Sequence, residues 1–388
     1  MQRRNQWMMF AATCVAVLAS SHMVRAQDAL SMQDARDIQE LNALQRGHSN
    51  PQALSALLTR ISSKAVADNR RAHIADPGEK DGNLALIQAM LNQPDESIDL
   101  AKVEVIVEHM IDPDVNQAET LSQLDTLAAN ARARFPQGDA TDTEEKGLIL
   151  ISTMKDPGPW NDNRPFRYDL DNPLGTNVTD KLLSHFLATR LGNCVSMPDL
   201  FVILGQKLGL PVTLSTAPLH EFAKFRKDNG QWQNIEVTSY GTISDLHYQQ
   251  QMAIPPLAMT NKLWLQTLTR KQSAMIILEP LAEFYHYTNQ PERELTLTAW
   301  ILHNYPQDVS ALNYRGLAFV QLYKKRYGRY GLPRNIPPAM RADAEEVGSS
   351  INETFTAADA LGWVGETPEH KAAYLKSIQE TKARQQGG

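Results

Sequence analysis

The stretch Thr189-Arg190-Leu191-Gly192-Asn193-Cys194-Val195-Ser196-Met197-Pro198, closed by Leu208-Gly209-Leu210-Pro211-Val212, decides how the middle of this chain is read. Gly192 breaks a preceding helix, expected over Lys181 to Arg190 with Leu182, Leu183, Phe186 and Leu187 on one face. A second helix is expected from about Ser196 to Leu208, with Leu200, Phe201, Leu204 and Leu208 as its buried stripe. Gly209-Leu210-Pro211 ends it. Cys194 therefore stands at a helix start, where unpaired backbone N–H groups and the positive end of the helix dipole favour a thiolate.

Three short strand-like runs follow: Val212 to Ser215, His220 to Phe225 and Trp232 to Thr238. Asp228-Asn229-Gly230 is the turn between the last two. Two helices followed by antiparallel strands make an α+β order. A thiolate needs a base, and the base needs an orienting group. His220 opens the second run and Glu236 lies in the third. Side chains alternate along a strand, so His220 shares a face with Phe222 and Lys224, and Glu236 with Trp232 and Asn234. An odd-length loop, for example one centred on Asp228, puts His220 and Glu236 on one face. A strict two-residue Asn229-Gly230 turn sends them to opposite faces, and the sequence leaves both registers open.

These motifs resemble the transglutaminase-like superfamily. The segment around Gly192-Asn193-Cys194 is similar to its nucleophile helix, His220-Glu221-Phe222 to its His-containing strand, and Trp232-Gln233-Asn234-Ile235-Glu236-Val237-Thr238 to its third strand. More narrowly, Leu121 to Phe225 resembles a bacterial branch in which an Ala-Arg-rich helix, here Ala129 to Phe135, precedes the core and tetratricopeptide-like helices follow it. The resemblance covers about residues 98–325 and is most specific in the core. It implies Cys194 as nucleophile, His220 as general base and then acid, and Glu236 as the orienting acid. The third member of the family's triad is usually Asp, so Glu236 departs from the pattern by one methylene. Many members of the bacterial branch lack the cysteine; this chain keeps it. The implied chemistry is thiolate attack on a protein or peptide amide carbonyl, with a thioester resolved by water or an amine. The Cys194 N–H and the Asn193 side chain are candidate oxyanion donors. Turn chemistry before a helix accounts for Asn193 equally well. Trp232 is a candidate wall of the site. The alternative is an inert scaffold of the same fold that binds a protein or peptide.

Outward from the core, the pattern from Gln27 to about Phe135 is helical, with Leu54, Leu57, Leu58 and Ile61, and again Leu121, Leu124, Leu127 and Ala128, at helical spacing. Asp139, Asp142, Glu144 and Glu145 read as a solvated loop. Beyond Pro255 the chain is helical again, with helices over Glu292 to Asn304 and Ser310 to Lys324. Leu302-His303-Asn304-Tyr305-Pro306 and Asn313-Tyr314-Arg315-Gly316-Leu317-Ala318 resemble parts of a tetratricopeptide repeat, a candidate surface for a protein partner. About one and a half periods are present where an array needs about three, so plain helices packed on the core are an equal reading. Glu283 and His286 share a helix face. A catalytic zinc needs about three ligands and no third stands nearby, so no metal and no cofactor is expected.

At the other end, Arg3 and Arg4 followed by an apolar run from Trp7 to about Ser20 and by Val24-Arg25-Ala26 predict a cleaved leader over 1–26. The run is shorter than the ~20 residues of a spanning helix, which disfavours an uncleaved anchor. Ala11-Ala12-Thr13 is a poor lipobox for Cys14. The expected location is exported, periplasmic or secreted, with no integral membrane segment in the mature chain. Of the two cysteines only Cys194 then remains, an unpaired thiol in an oxidising compartment. The formal charge of −6 becomes more negative once Arg3, Arg4 and Arg25 leave, which argues against nucleic acid as a partner. The expected architecture is a leader (1–26), a helical N-terminal region (27–150), a transglutaminase-like α+β core (151–255) and a helical, tetratricopeptide-like C-terminal region (256–388).

Overall fold

The computed structural model describes residues 51–71, 82–136, 142–173, 175–365 and 376. The leader segment with Cys14 lies outside the described residues, as does Asp139. The protein is mixed α+β, mostly helical, with one small antiparallel sheet. In chain order the helices are α1 (Pro51–Arg71), α2 (Gly82–Leu91), α3 (Leu100–Ile111), α4 (Gln117–Ala133), α5 (Thr143–Lys155), α6 (Leu183–Thr189) and α7 (Ser196–Lys207). They continue as α8 (Asp245–Gln251), α9 (Pro256–Thr260), α10 (Arg270–Ile277), α11 (Glu279–Tyr287), α12 (Pro291–Asn304), α13 (Val309–Tyr327) and α14 (Pro338–Leu361). Strands β1 (Arg167–Tyr168) and β2 (Leu191–Gly192) form a short parallel pair. Strands β3 (Val212–Ala217), β4 (His220–Arg226), β5 (Trp232–Glu236) and β6 (Gly241–Ile243) form the sheet in that order, all antiparallel.

Among the described residues the chain forms two compact units. One draws on 51–71 and 285–363, the other on 82–284, and the division falls inside α11. In the first unit, Leu295 of α12, Ala318, Phe319 and Leu322 of α13, and Val347 and Ile351 of α14 make the core. Arg315 is buried there and donates to the Asn69 side chain and to the Leu295 and Ala65 carbonyls.

The second unit is built round α7. Met197, Leu200, Phe201, Val202, Ile203 and Leu204 are all buried, as are Ser196 and Asp199, so this helix is buried on every side rather than along one stripe. It packs on β3 and β4. Contact with β3 is close enough that a Cβ at Gly205 would fall 2.5 Å from Val212. Arg134, just past α4, stacks over Trp160 at 3.8 Å and donates to Ser152 and Thr153 of α5, which ties the Ala-Arg-rich helix to its neighbour. Asp142, Glu144 and Glu145 do not form a loop. Asp142 accepts the Glu144 N–H as the cap of α5, and the two glutamates occupy its first turn, where they complement the helix dipole.

The β4–β5 connection is an odd-length loop. Lys227 N–H donates to the Gln231 carbonyl, Gly230 N–H to the Lys227 carbonyl, and Gly230 holds φ 83°. This is a turn followed by a left-handed glycine, which leaves a three-residue loop centred on Asn229, one residue beyond Asp228. Arg226 consequently faces Trp232, Lys224 faces Asn234 and Ala223 faces Ile235. Continued, that register sets Glu236 opposite Phe222, so His220 and Glu236 share a face as diagonal neighbours.

Candidate functional site

Gly192 fixes the approach to Cys194. A Cβ there would meet the Phe186 ring at 2.6 Å and Met197 at 2.9 Å, so only glycine lets β2 run between α6 and the start of α7. Asn193 then caps the helix. Its Oδ1 accepts the N–H groups of Val195 (3.0 Å) and Ser196 (3.2 Å), and its Nδ2 donates to the Asp180 carbonyl at 2.9 Å. Ser196 Oγ accepts the Asn193 N–H in return. The Asn193 side chain is therefore occupied by helix capping, not presented as an oxyanion donor. Between these bonds sits Cys194, half-buried, its Sγ 4.0 Å from the Leu219 carbonyl oxygen and its backbone N–H without a hydrogen-bond partner among the described residues.

His220 opens β4 beside it. His220 Nε2 and Glu236 Oε2 are 2.6 Å apart, and the Cys194 thiol is near enough to the imidazole to favour its protonated form. With Nε2 taken by the carboxylate, Nδ1 is the nitrogen left for the sulfur. The longer reach of Glu suits the diagonal register, which a shorter Asp would span less well. Burial lowers the basicity of His220, but the Glu236 charge and the hydrogen bonds to Cys194 and Glu236 outweigh it and raise the pKa to about 10. Glu236 is also buried, which alone would raise it. The His220 charge and its hydrogen bonds instead hold it at about 2.

Two more residues fasten that carboxylate. Tyr248 of α8 donates to Oε2 at 2.7 Å, and Thr238 donates to Oε1 through its N–H (3.2 Å) and its hydroxyl (2.5 Å). Burial and the nearby Glu236 charge raise the Tyr248 pKa, so it stays a proton donor. Its ring stacks on Phe222 with centroids 4.5 Å apart and lies 5.9 Å from the His220 ring. Sequence reasoning did not find Tyr248. Nothing in the local pattern of α8 marks it, because its role depends on a partner on another element. Trp232 is four residues from Glu236, about 13 Å along the strand. It is 39% exposed and sits near Arg226, so it does not line this site.

A second set of acids lies buried in the same unit. Glu104 and Glu108 of α3, Asp199 of α7 and Glu221 of β4 are all buried. Glu108 accepts the Ser184 N–H at 3.0 Å, but Asp199 Oδ1 and Glu221 Oε2 have no hydrogen-bond partner among the described residues. Burial, and then the neighbouring Glu108, raise Asp199 to about 8. Burial and acidic neighbours also raise Glu104 and Glu221 well above the ordinary range. Among the described residues no group of three or more His, Cys, Asp or Glu side chains is placed to hold a metal ion. Glu283 and His286 have separate partners: Glu283 binds Lys181 at 2.5 Å, and His286 Nδ1 lies 3.2 Å from Glu294. No helix among the described residues is long and apolar enough to cross a membrane. Comparisons of the chain with protein-family models, curated proteins and solved structures give no match.

Proposed function

We propose that this chain is a transglutaminase-like cysteine hydrolase or acyltransferase, acting on protein or peptide amide bonds through a thioester on Cys194. The observation that carries this reading is the 2.6 Å contact between the Glu236 carboxylate and the His220 imidazole, with the Cys194 sulfur 4.0 Å from the carbonyl of Leu219, the residue just before that imidazole. The order of α7, β3, β4 and β5, with the cysteine just before the helix, supports the finer reading of this unit as a transglutaminase-like core. The leader-like sequence over 1–26 supports export as the setting in which it works.

In the reaction, the proton of the Cys194–His220 pair starts on the imidazole, which a pKa of about 10 keeps as an imidazolium at neutral pH. The sulfur attacks the amide carbonyl carbon; an S–C bond forms and the C=O π pair moves to oxygen. The Cys194 N–H, which has no hydrogen-bond partner among the described residues, is the donor available to that oxyanion. As the carbonyl re-forms, the C–N bond breaks and the nitrogen leaves with the proton from His220. Water or an amine then attacks the thioester, passes a proton to His220, and the C–S pair returns to sulfur. Glu236, fixed by Tyr248 and Thr238, keeps the imidazole oriented and balances its charge throughout.

Iodoacetamide labelling and peptide turnover test this together. Cys194 in the parent chain is alkylated at neutral pH at least about tenfold faster than in His220→Ala, and both Cys194→Ala and His220→Ala lose amide turnover by factors on the order of 10⁴ or more. Labelling at the rate of a small free thiol, indifferent to His220→Ala, sinks the enzyme reading and leaves an inert scaffold of the same architecture.

A further inference from the structure

The turn joining β3 to β4 carries a residue that folding alone does not favour. Ala217 pairs with His220, so Pro218 and Leu219 are the two central residues. Leu219 holds φ 57°, the left-handed setting that glycine or asparagine ordinarily supplies after a turn proline. The side chain so placed is 68% exposed, a bulky apolar group standing in water. Strain and exposure thus coincide at one residue, and that residue touches the site. Its carbonyl oxygen is 4.0 Å from Cys194 Sγ, and the next residue is His220. Backbone strain of this kind collects at ligand clamps, where binding uses the side chain it presents.

We infer that Leu219 supplies the apolar surface of a subsite that receives a bulky hydrophobic side chain of the peptide acyl donor, next to the carbonyl attacked by Cys194. The inference rests on the reading of Cys194 as nucleophile and names the substrate class which that reading leaves open. The occupant follows from continuity with the sulfur. A carbonyl carbon brought to bonding distance of Sγ lies against the Leu219 peptide, and the side chain flanking it is the group within reach of the exposed leucine. Apolar contact with Leu219 removes both surfaces from water. An acidic side chain in the same place forfeits that gain.

Three probes on the full chain test it: N-acetyl-leucyl chloromethyl ketone, N-acetyl-aspartyl chloromethyl ketone and iodoacetamide, each of which alkylates the sulfur with loss of halide. The parent chain reacts with the leucyl probe about tenfold or more faster than with the aspartyl probe, the scale of one added hydrophobic contact. Leu219→Gly, which relieves the left-handed backbone, brings the two rates within about twofold, and Leu219→Met keeps the preference. Iodoacetamide, with no side chain to place, measures each protein's basal thiol reactivity, and the leucyl-to-aspartyl ratio is read relative to it. Equal leucyl and aspartyl rates in the parent, or a leucyl preference untouched by Leu219→Gly, overturn the subsite. Failure of the nucleophile reading is a different result: iodoacetamide labelling then ignores His220→Ala.

Discussion

Glu236 and Asp199 belong to the same unit and are about equally buried, at 6% and 2% exposure, yet they end in opposite charge states. Glu236 is pushed down to about 2 and Asp199 up to about 8. The difference lies in what surrounds each carboxyl. Around Glu236 are a hydroxyl from Tyr248, a hydroxyl and an N–H from Thr238, and the imidazole of His220. Asp199 has one oxygen with no partner and the acidic Glu108 as its neighbour. Burial by itself neutralises an acid; donors and an opposite charge reverse the sign. One carboxyl is thereby fitted to hold a cation in a relay, while the other is a proton held in the core.

That contrast can be broken by substitution. The largest expected effect is on Glu236. Glu236→Gln, which keeps shape but not charge, lowers amide turnover by about 10⁴, and Glu236→Asp, which shortens the reach across the diagonal, by about 10². Asp199→Asn leaves turnover within about twofold. Steady-state kinetics on one peptide substrate measure all three, and a loss at Asp199 equal to that at Glu236 would erase the distinction.

The next effect reverses the roles and concerns stability. Asp199 is raised from 3.8 to about 8 in the folded chain, so folding takes up a proton between those values. Its contribution is fully present at low pH and is lost as pH rises through about 8. Glu104 and Glu221 act in the same direction. For Glu236 the sign is opposite: its contribution is present above the ordinary carboxylate range and is lost only as pH falls towards about 2. Thermal melts should therefore show Asp199→Asn above the parent by about 3 °C or more at pH 9 and level with it at pH 4, about the shift that ~1 kcal/mol gives a unit of this size. Smallest is Tyr248→Phe, which removes one of the donors to Glu236 and lowers kcat about tenfold, the weight of one charged hydrogen bond. A normal kcat in Tyr248→Phe would show that the remaining donors suffice.

Much of this unit was legible in the sequence because the relevant signals are local. Gly192 and Gly209-Leu210-Pro211 bracket α7, the alternation of β4 and β5 shows in their side chains, and the face shared by His220 and Glu236 follows once the loop is odd-numbered. Loop length itself was not legible, since Asp228-Asn229-Gly230 suits both a two-residue turn and the observed turn with a left-handed Gly230. Tyr248 and the free Cys194 N–H depend on contacts between separate elements or on fine backbone geometry, which no periodicity reports. The buried acids did leave a trace. Leu100-Ala101-Lys102-Val103-Glu104-Val105-Ile106-Val107-Glu108 is apolar all round apart from Lys102 and the two glutamates. A helix of that kind is an interior one, and its acids go inside with it. Asn193 was open to two readings from sequence, and its bonds to Val195, Ser196 and Asp180 decide for capping. For Trp232, distance along the strand and its exposure remove it from the site.

The tight fit at Gly192 has a consequence for how this chain can diverge. A methyl group there collides with Phe186 and Met197, two residues whose own packing holds α6 and α7 together. Variation at 192 is thus filtered by collapse of the core before any chemistry is sampled. A lineage could shed the thiol at 194 and keep its shape, but not the hydrogen atom that stands for a side chain two positions earlier.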